Sequence, residues 1–198
     1  MAELDGSDVH SFRDATEWES WLARHHDRPG GVWLMIAKKG SGETSVTVDE
    51  ALDVALCYGW IDSQRRSHDQ RHYLQRFSRR RPGSAWSRVN VDKVEMLIAA
   101  GRVQPPGLAE IAAAQADGRW EAAYESQRTA TAPPDLAAAL ARSEPARRAF
   151  ERLDKTSRYA VILPLLKART PEGRATRLRR AVEALEAGDA GGDVGGGG

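Results

Sequence analysis

The sequence predicts an α+β fold: a small, mainly antiparallel sheet of about three strands packed by helices, with a C-terminal half that is all helical. Three observations carry this reading. Strand-length apolar or alternating runs are confined to the first eighty residues. Capping residues followed by apolar positions at helical spacing recur along the chain. After Gly101 the punctuation is proline at helix starts, with no strand signal. The 198 residues, 41% of them hydrophobic, suffice for one sizeable core, so one domain over 11–187 is expected. The ends, 1–10 and the glycine-rich 188–198, are expected to be disordered.

In chain order, Asp14 with Glu17 three residues later starts a short helix that carries Trp18, Trp21, Leu22 and His25. Pro29-Gly30-Gly31 ends it, and 32–37, VWLMIA, is a continuous apolar run that reads as a central strand. Thr47 and Glu50 form a second capping signature, and the helix over 51–58 has too little polar surface to lie outside. Gly59 stops it. Residues 60–65 and 72–79 read as the strands of a hairpin around a polar 66–71 loop, and Pro82-Gly83 breaks the second strand. Ser84 is expected to cap the next helix, with Val91, Val94, Leu97 and Ile98 pointing inward. Pro105-Pro106, Pro133-Pro134, Pro145 and Thr170-Pro171-Glu172 then open helices in turn, and Pro164 is expected to kink the apolar helix over 159–166.

Composition narrows the function classes. No run of eighteen apolar residues is present and MAELDGSDVH is polar and acidic, so a cytoplasmic protein without membrane insertion is expected. The single cysteine, Cys57, rules out an internal disulfide framework and reads as a small hydrophobe. Net charge is +1, yet residues 60–90 hold eight arginines against two aspartates, so the remainder is acidic. An anionic partner is thus an option for this one region.

The runs ALDVALCYGWIDSQ (51–64), YLQRFSRRRPGSAWSRVN (73–90), LIAAGRVQPPGLAEI (97–111) and DGRWEAAY (117–124) follow one another in an order that resembles the YdeI/OmpD-associated, or bacteriocin-protection, family. The resemblance is read over 12–185. His72 departs from it, standing where an aromatic or aliphatic residue is expected. What the resemblance implies is a role in antimicrobial or stress protection, with no reaction, ligand or cofactor attached.

Read from the residues, strand alternation puts Trp60, Asp62 and Gln64 on one face of the hairpin and Tyr73, Gln75 and Phe77 on one face of its partner. If the faces coincide, aromatics and polar groups interleave, either as a ligand cleft or as a core whose amides serve buried backbone. Ser87 and Asn90 continue the apolar stripe of the following helix backwards, so they point at the sheet near a helix start, with Trp86 as an apolar wall. The expected function is therefore binding of a small molecule or peptide between the hairpin and this helix. Ligand-binding candidates are Trp60, Asp62, Gln64, Tyr73, Gln75, Arg76, Trp86, Ser87 and Asn90. An enzyme is the alternative, with Asp62 as acid or base and Arg76 as an electrostatic clamp, although a simple Asp62–Arg76 ion pair is the commoner arrangement. Single-stranded nucleic acid on the 65–88 arginines, stacked on Tyr73, Phe77 and Trp86, is the least favoured reading. His68 and His72 have a helical metal-pair spacing but fall in a loop and a strand, so neither a metal nor a cofactor is expected. Oligomeric state is left open.

Overall fold

The computed structural model describes residues 2–4, 7–126, 129–168 and 170–190. It contains five strands and eight helices among them, in two compact units, 1–123 and 124–198. The expected α+β class is observed, with the strands all in the first unit and the C-terminal half helical.

In the first unit, β1 (Ala2–Leu4) and β2 (Ser7–His10) lead into α1 (Ala15–His25). Asp14 caps α1 by accepting from the Glu17 N–H at 2.9 Å, while the Glu17 carboxylate reaches back to the Arg13 N–H. The expected central strand is β3 (Gly31–Ala37). It is followed by α2 (Val48–Cys57), whose Thr47/Glu50 capping box is formed in both directions. The hairpin is β4 (Trp60–Ser67) and β5 (His72–Arg79). The sheet order is β1-β2-β3-β5-β4, antiparallel except for a two-residue parallel pairing of β2 with β3. The three anticipated strands are thus joined by two more. Both lie in the stretch expected to be disordered, where a short hairpin finds partners on the free edge of β3. At the other end, 188–190 are the last residues of a helix, and 191–198 lie outside the described residues.

Helices α3 (Arg88–Ala99) and α4 (Pro105–Ala116) complete this unit. The N-cap of α3 is Ser87, three residues later than expected. Ser84 instead bonds the Arg81 carbonyl through both its N–H and its hydroxyl, so Arg81 to Ser84 close a turn before the helix can begin. Val91, Val94 and Leu97 face inward as expected, but Ile98 in the last turn is exposed. The core joins Trp18 and Leu22 of α1, Val32, Leu34 and Ile36 of β3, Ala51 to Cys57 of α2, Trp60 and Phe77 of the hairpin, and Val91 and Val94 of α3.

The second unit holds α5 (Pro134–Arg142), α6 (Glu144–Arg152), α7 (Lys155–Leu166) and α8 (Pro171–Ala190). Its own core consists of Leu136, Leu140, Ala146, Ala149, Ile162, Leu165 and Leu185. Arg174 ties α8 to α5 by two hydrogen bonds to Asp135, at 2.6 and 2.8 Å, and this guanidinium holds the Asp135 carboxyl below its ordinary range. Pro164 lies two residues before the end of α7. The expectation of one domain over 11–187 is corrected here. The apolar faces of α5–α8 bury against one another, while the helices sharing a core with the sheet are α1 to α4.

A close approach fixes how α4 meets α2. A Cβ on Gly107 would fall 2.3 Å from the Cys57 carbonyl oxygen, and the Gln104 N–H donates to that same oxygen at 2.9 Å. Cys57 itself is buried, which pushes its thiol up to about 11. Alanine is intrinsically about 1 kcal/mol better than glycine inside a helix. At this position steric overlap reverses the sign, and Gly107→Ala is expected to destabilise the protein by about 1–3 kcal/mol in urea unfolding. A stabilised variant would show that α4 does not press on Cys57.

Candidate functional site

The register of the sheet decides which side chains meet. Asp62 lies opposite Phe77 and Phe77 opposite Val32, so Trp60, Asp62, Phe77, Gln75 and Tyr73 share the core face with Leu34 and Ile36. To this extent the two faces coincide as expected. Between Asp62 and Arg65 the register shifts, because β4 carries a bulge. Ser63 and Gln64 occupy it together, and beyond it Arg65 stands opposite Gln75. Gln64 is therefore placed differently from the alternation. Its side chain is exposed, and it contributes a carbonyl that accepts from the Gln75 amide at 3.2 Å. Arg65, though exposed on this edge strand, takes the place opposite Gln75, donating to Gln75 Oε1 at 3.0 Å with its guanidinium 4.5 Å from the Tyr73 ring centre. Gln75 is only 3% exposed and both ends of its amide are bonded.

Arg76 lies on the other face. It pairs with Trp33, opposite to the side that carries Asp62. The Asp62–Arg76 ion pair and the corresponding catalytic pair are thus not assembled, since two residues an odd step from the same register pair cannot reach each other through the sheet.

The groups that do bear on Asp62 are Arg65 and Arg80. Asp62 is half-buried, and this burial raises its carboxyl above the ordinary 3.8, while its own backbone N–H and the two arginines pull it back. Apart from that N–H, the carboxylate has no hydrogen bond and no ion pair among the described residues. Arg80 follows β5 directly, where its N–H donates to the Gly59 carbonyl at 3.0 Å. Its side chain is buried, bonded to the Ala85 carbonyl at 3.3 Å, and lies 3.6 Å from the centre of the Trp86 ring. Such a stacked, desolvated guanidinium is worth about 2 kcal/mol or more.

Trp86 is 2% exposed and packs on Trp120 at 4.9 Å, so it is a core residue backing Arg80 and not an open cleft wall. Trp60 is likewise fully buried, its indole N–H on the His26 carbonyl at 2.8 Å. Ser87 is engaged in capping, accepting from the Asn90 N–H at 3.3 Å. The half-buried Asn90 amide has no hydrogen-bond partner among the described residues, and neither side chain is hydrogen-bonded to the hairpin. Sequence reasoning missed Arg65 and Arg80. The first needs the bulge to be known. The second carries a readable sign, an arginine between a strand end and a tryptophan six residues on.

The arginine run is divided. Arg79 and Arg81 are exposed and Arg80 is buried, while Arg66 lies over Trp33 at 5.1 Å and Arg71 pairs with Glu43 at 2.6 Å. Phe77 and Trp86 are buried and Tyr73 is covered on one face by Arg65, so these three rings form no platform for stacked bases. His68 and His72 both approach Asp69, at 3.9 and 3.2 Å. Among the described residues no group of three His, Cys, Asp or Glu is arranged to hold a metal, and no helix is long and apolar enough to cross a membrane.

Two family models match the chain, one on each side of the division between its two units. Residues 10–110, just over half of the chain, match the family described as Domain of unknown function (DUF8412), and the chain belongs to that family. Residues 129–188 match the family model described as Bacteriocin-protection, YdeI or OmpD-Associated. The two matches fall in the two structural units. The resemblance read over 12–185 is thereby narrowed, because the bacteriocin-protection match covers the helical unit alone. The four runs that carried the resemblance all lie before it. No curated protein and no solved structure matches the chain.

Trp86 also yields a test. A buried ring that holds a buried guanidinium should cost the full core amount when removed, so Trp86→Ala is expected to lose about 3–5 kcal/mol in urea melts, as much as Trp33→Ala. A loss near 1 kcal/mol would restore the open-cleft placement.

Proposed function

We propose that this protein is a cytoplasmic binder of a small or peptidic ligand, acting in protection against bacteriocins or related antimicrobial stress. The ligand is held at the bulged end of the hairpin near the start of α3. The general link to protection is supported by the match of residues 129–188. A lone buried cysteine is in keeping with a reducing compartment.

The binding reading rests on one observation: a half-buried carboxylate whose burial raises its pKa and which has no side-chain partner, in the field of two arginines. Structural carboxylates that are buried are normally paired, and the exceptions concentrate at functional sites. Asp62 would accept a donor from the ligand. The exposed Arg65, and the unbonded Asn90 amide at the start of α3, would meet an acceptor. A peptide terminus or another amino-acid-like zwitterion offers both, and an anionic group would suit Arg65. Arg80 supports the site from behind through Trp86.

An enzyme is the second reading, favoured by the same burial of Asp62, which raises its pKa as expected of a carboxyl that exchanges a proton with a substrate. Its clamp would be Arg65, since Arg76 is across the sheet. Turnover separates the two readings: a binder protects up to stoichiometry, whereas an enzyme alters the ligand at substoichiometric protein.

Substituting Asp62 tests the site through opposing effects on stability and function. A carboxyl with a raised folded-state pKa destabilises the fold when ionised. That cost is fully present above the folded pKa and disappears as pH falls through it toward 3.8 and below, where both states are protonated. Asp62→Asn should therefore raise the urea midpoint at pH 7, with the gain shrinking as pH falls, while protection of cells challenged with bacteriocin is lost. A stabilised variant with full protection would remove Asp62 from the function. A variant destabilised at pH 7 would show that the carboxylate is satisfied where it lies.

A further inference from the structure

The helical unit carries a groove between α7 and α8, with a volume of about 590 Å³, that the hairpin site does not involve. One wall is formed by Ser157, Ala160, Val161 and Pro164 of α7, at the i, i+3, i+4 and i+7 spacing of a single helix face. The other is formed by Arg177, Arg180, Ala181 and Ala184 of α8, at the same spacing. None of the residues lining the groove is acidic.

Both cations of the groove stand on the α8 wall. Arg177 is held in place, because an Nη1–H donates to the Pro164 carbonyl at 2.6 Å, one of the orphan carbonyls at the end of α7. Four of its five guanidinium N–H groups are left for other acceptors. Arg180 lies one turn further along, is exposed, and makes no hydrogen bond or ion pair among the described residues. The glutamates that follow it on α8 are engaged elsewhere: Glu183 approaches Arg179 at 3.9 Å, and Glu186 accepts from the Ser143 hydroxyl at 2.5 Å.

Shape and charge together select the occupant. A bilayer is flat and does not reach between two helices, and a two-fold copy of this face would set arginines against arginines with no acid to pair them. A helix with an apolar stripe at i, i+3, i+4 and i+7 fills a groove of this kind, and carboxylates flanking the stripe match Arg177 and Arg180. We propose that the groove docks an acidic amphipathic helix of a partner protein, its stripe against Ala160, Val161, Ala181 and Ala184 and its carboxylates on Arg177 and Arg180. It does so independently of Asp62.

Fluorescence anisotropy of the full chain against a labelled peptide of about twelve residues, as long as α7, tests this. The peptide carries leucine at i, i+3, i+4 and i+7 and glutamate at the flanking positions. A second peptide has lysine for each glutamate, and a third has the residues of the first in scrambled order. The glutamate peptide should bind saturably, at least tenfold tighter than either control. Arg180→Glu, at an exposed position, should keep the urea midpoint, weaken the glutamate peptide at least tenfold and turn the preference toward the lysine peptide. Ala184→Phe should abolish binding by filling the groove, and Asp62→Asn should leave it unchanged. Equal affinity for the glutamate and lysine peptides, undiminished binding in Arg180→Glu or Ala184→Phe, or no saturable binding would each overturn the proposal. Loss of peptide binding in Asp62→Asn would do so too, since it would move the peptide to the hairpin. Co-sedimentation with phosphatidylglycerol vesicles, or self-association in the ultracentrifuge, that Ala184→Phe abolishes would give the groove to a lipid surface or to a second copy and overturn it as well. Protection left intact in Asp62→Asn would sink the hairpin reading and leave the peptide result standing.

Discussion

Trp18 makes the contact on which the first unit depends. It comes from α1, and its ring lies 5.2 Å from Phe12, 5.8 Å from Phe77 of β5 and 6.4 Å from Trp60 of β4. Its indole N–H donates to the Ala51 carbonyl of α2 at 3.0 Å. A single side chain thus touches both strands of the hairpin and both helices that flank β3. Aromatic pairs of this kind contribute about 0.5–1.5 kcal/mol each beyond area burial, and burying an indole obliges its N–H to find an acceptor. The second requirement fixes direction as well as distance: Trp18 selects one rotation of α2, and Trp60, bonded to His26, one position of the end of α1. Asp62 is two residues from Trp60 on the same face, so its depth follows from where the rings are anchored.

The bulge between Asp62 and Arg65 shows where sequence reading stops. Alternation correctly joined Trp60, Asp62, Tyr73, Gln75 and Phe77, because each lies on a side of the irregularity where period two holds. It failed for Gln64 because an inserted residue exchanges the faces beyond it, and no residue in SQRRS announces which will be doubled. It failed for the Asp62–Arg76 pair for another reason. Residue types suggested attraction, while parity in the strand put the two on opposite sides of the sheet. Opposite charges are common enough in sequence that proximity along the chain carries little information about proximity through it.

Helix starts marked by local signals were legible, as at Asp14 with Glu17, Thr47 with Glu50 and the four proline openings, whereas α3 begins after Ser87 and not Ser84, and α7 begins at Lys155, four residues before the apolar run over 159–166 that announced it. The division into two cores was not legible. Leu136, Leu140, Ile162 and Leu165 have the same periodicity whether they face a sheet or each other, so amphipathic spacing gives the buried side and says nothing of the partner. Partner choice is settled by non-local terms such as the Arg174–Asp135 contact, 39 residues apart. The N-terminal strands were missed because ELDGSDVH is too polar to signal a strand, and its pairing relies on an edge that β3 supplies.

Cys57 has a practical consequence. Nucleophilic reaction requires the thiolate, and a thiol raised to about 11 is ionised in only about one molecule in ten thousand at pH 7. The residue is also buried in the first core, so the folded chain gives a reagent little access to the sulfur. The folded chain is thus expected to react slowly with maleimides, so that a cysteine introduced at an exposed position, such as Met96 on α3, is labelled in preference to it. Spectroscopic distance measurements between the two units require no prior removal of the natural thiol.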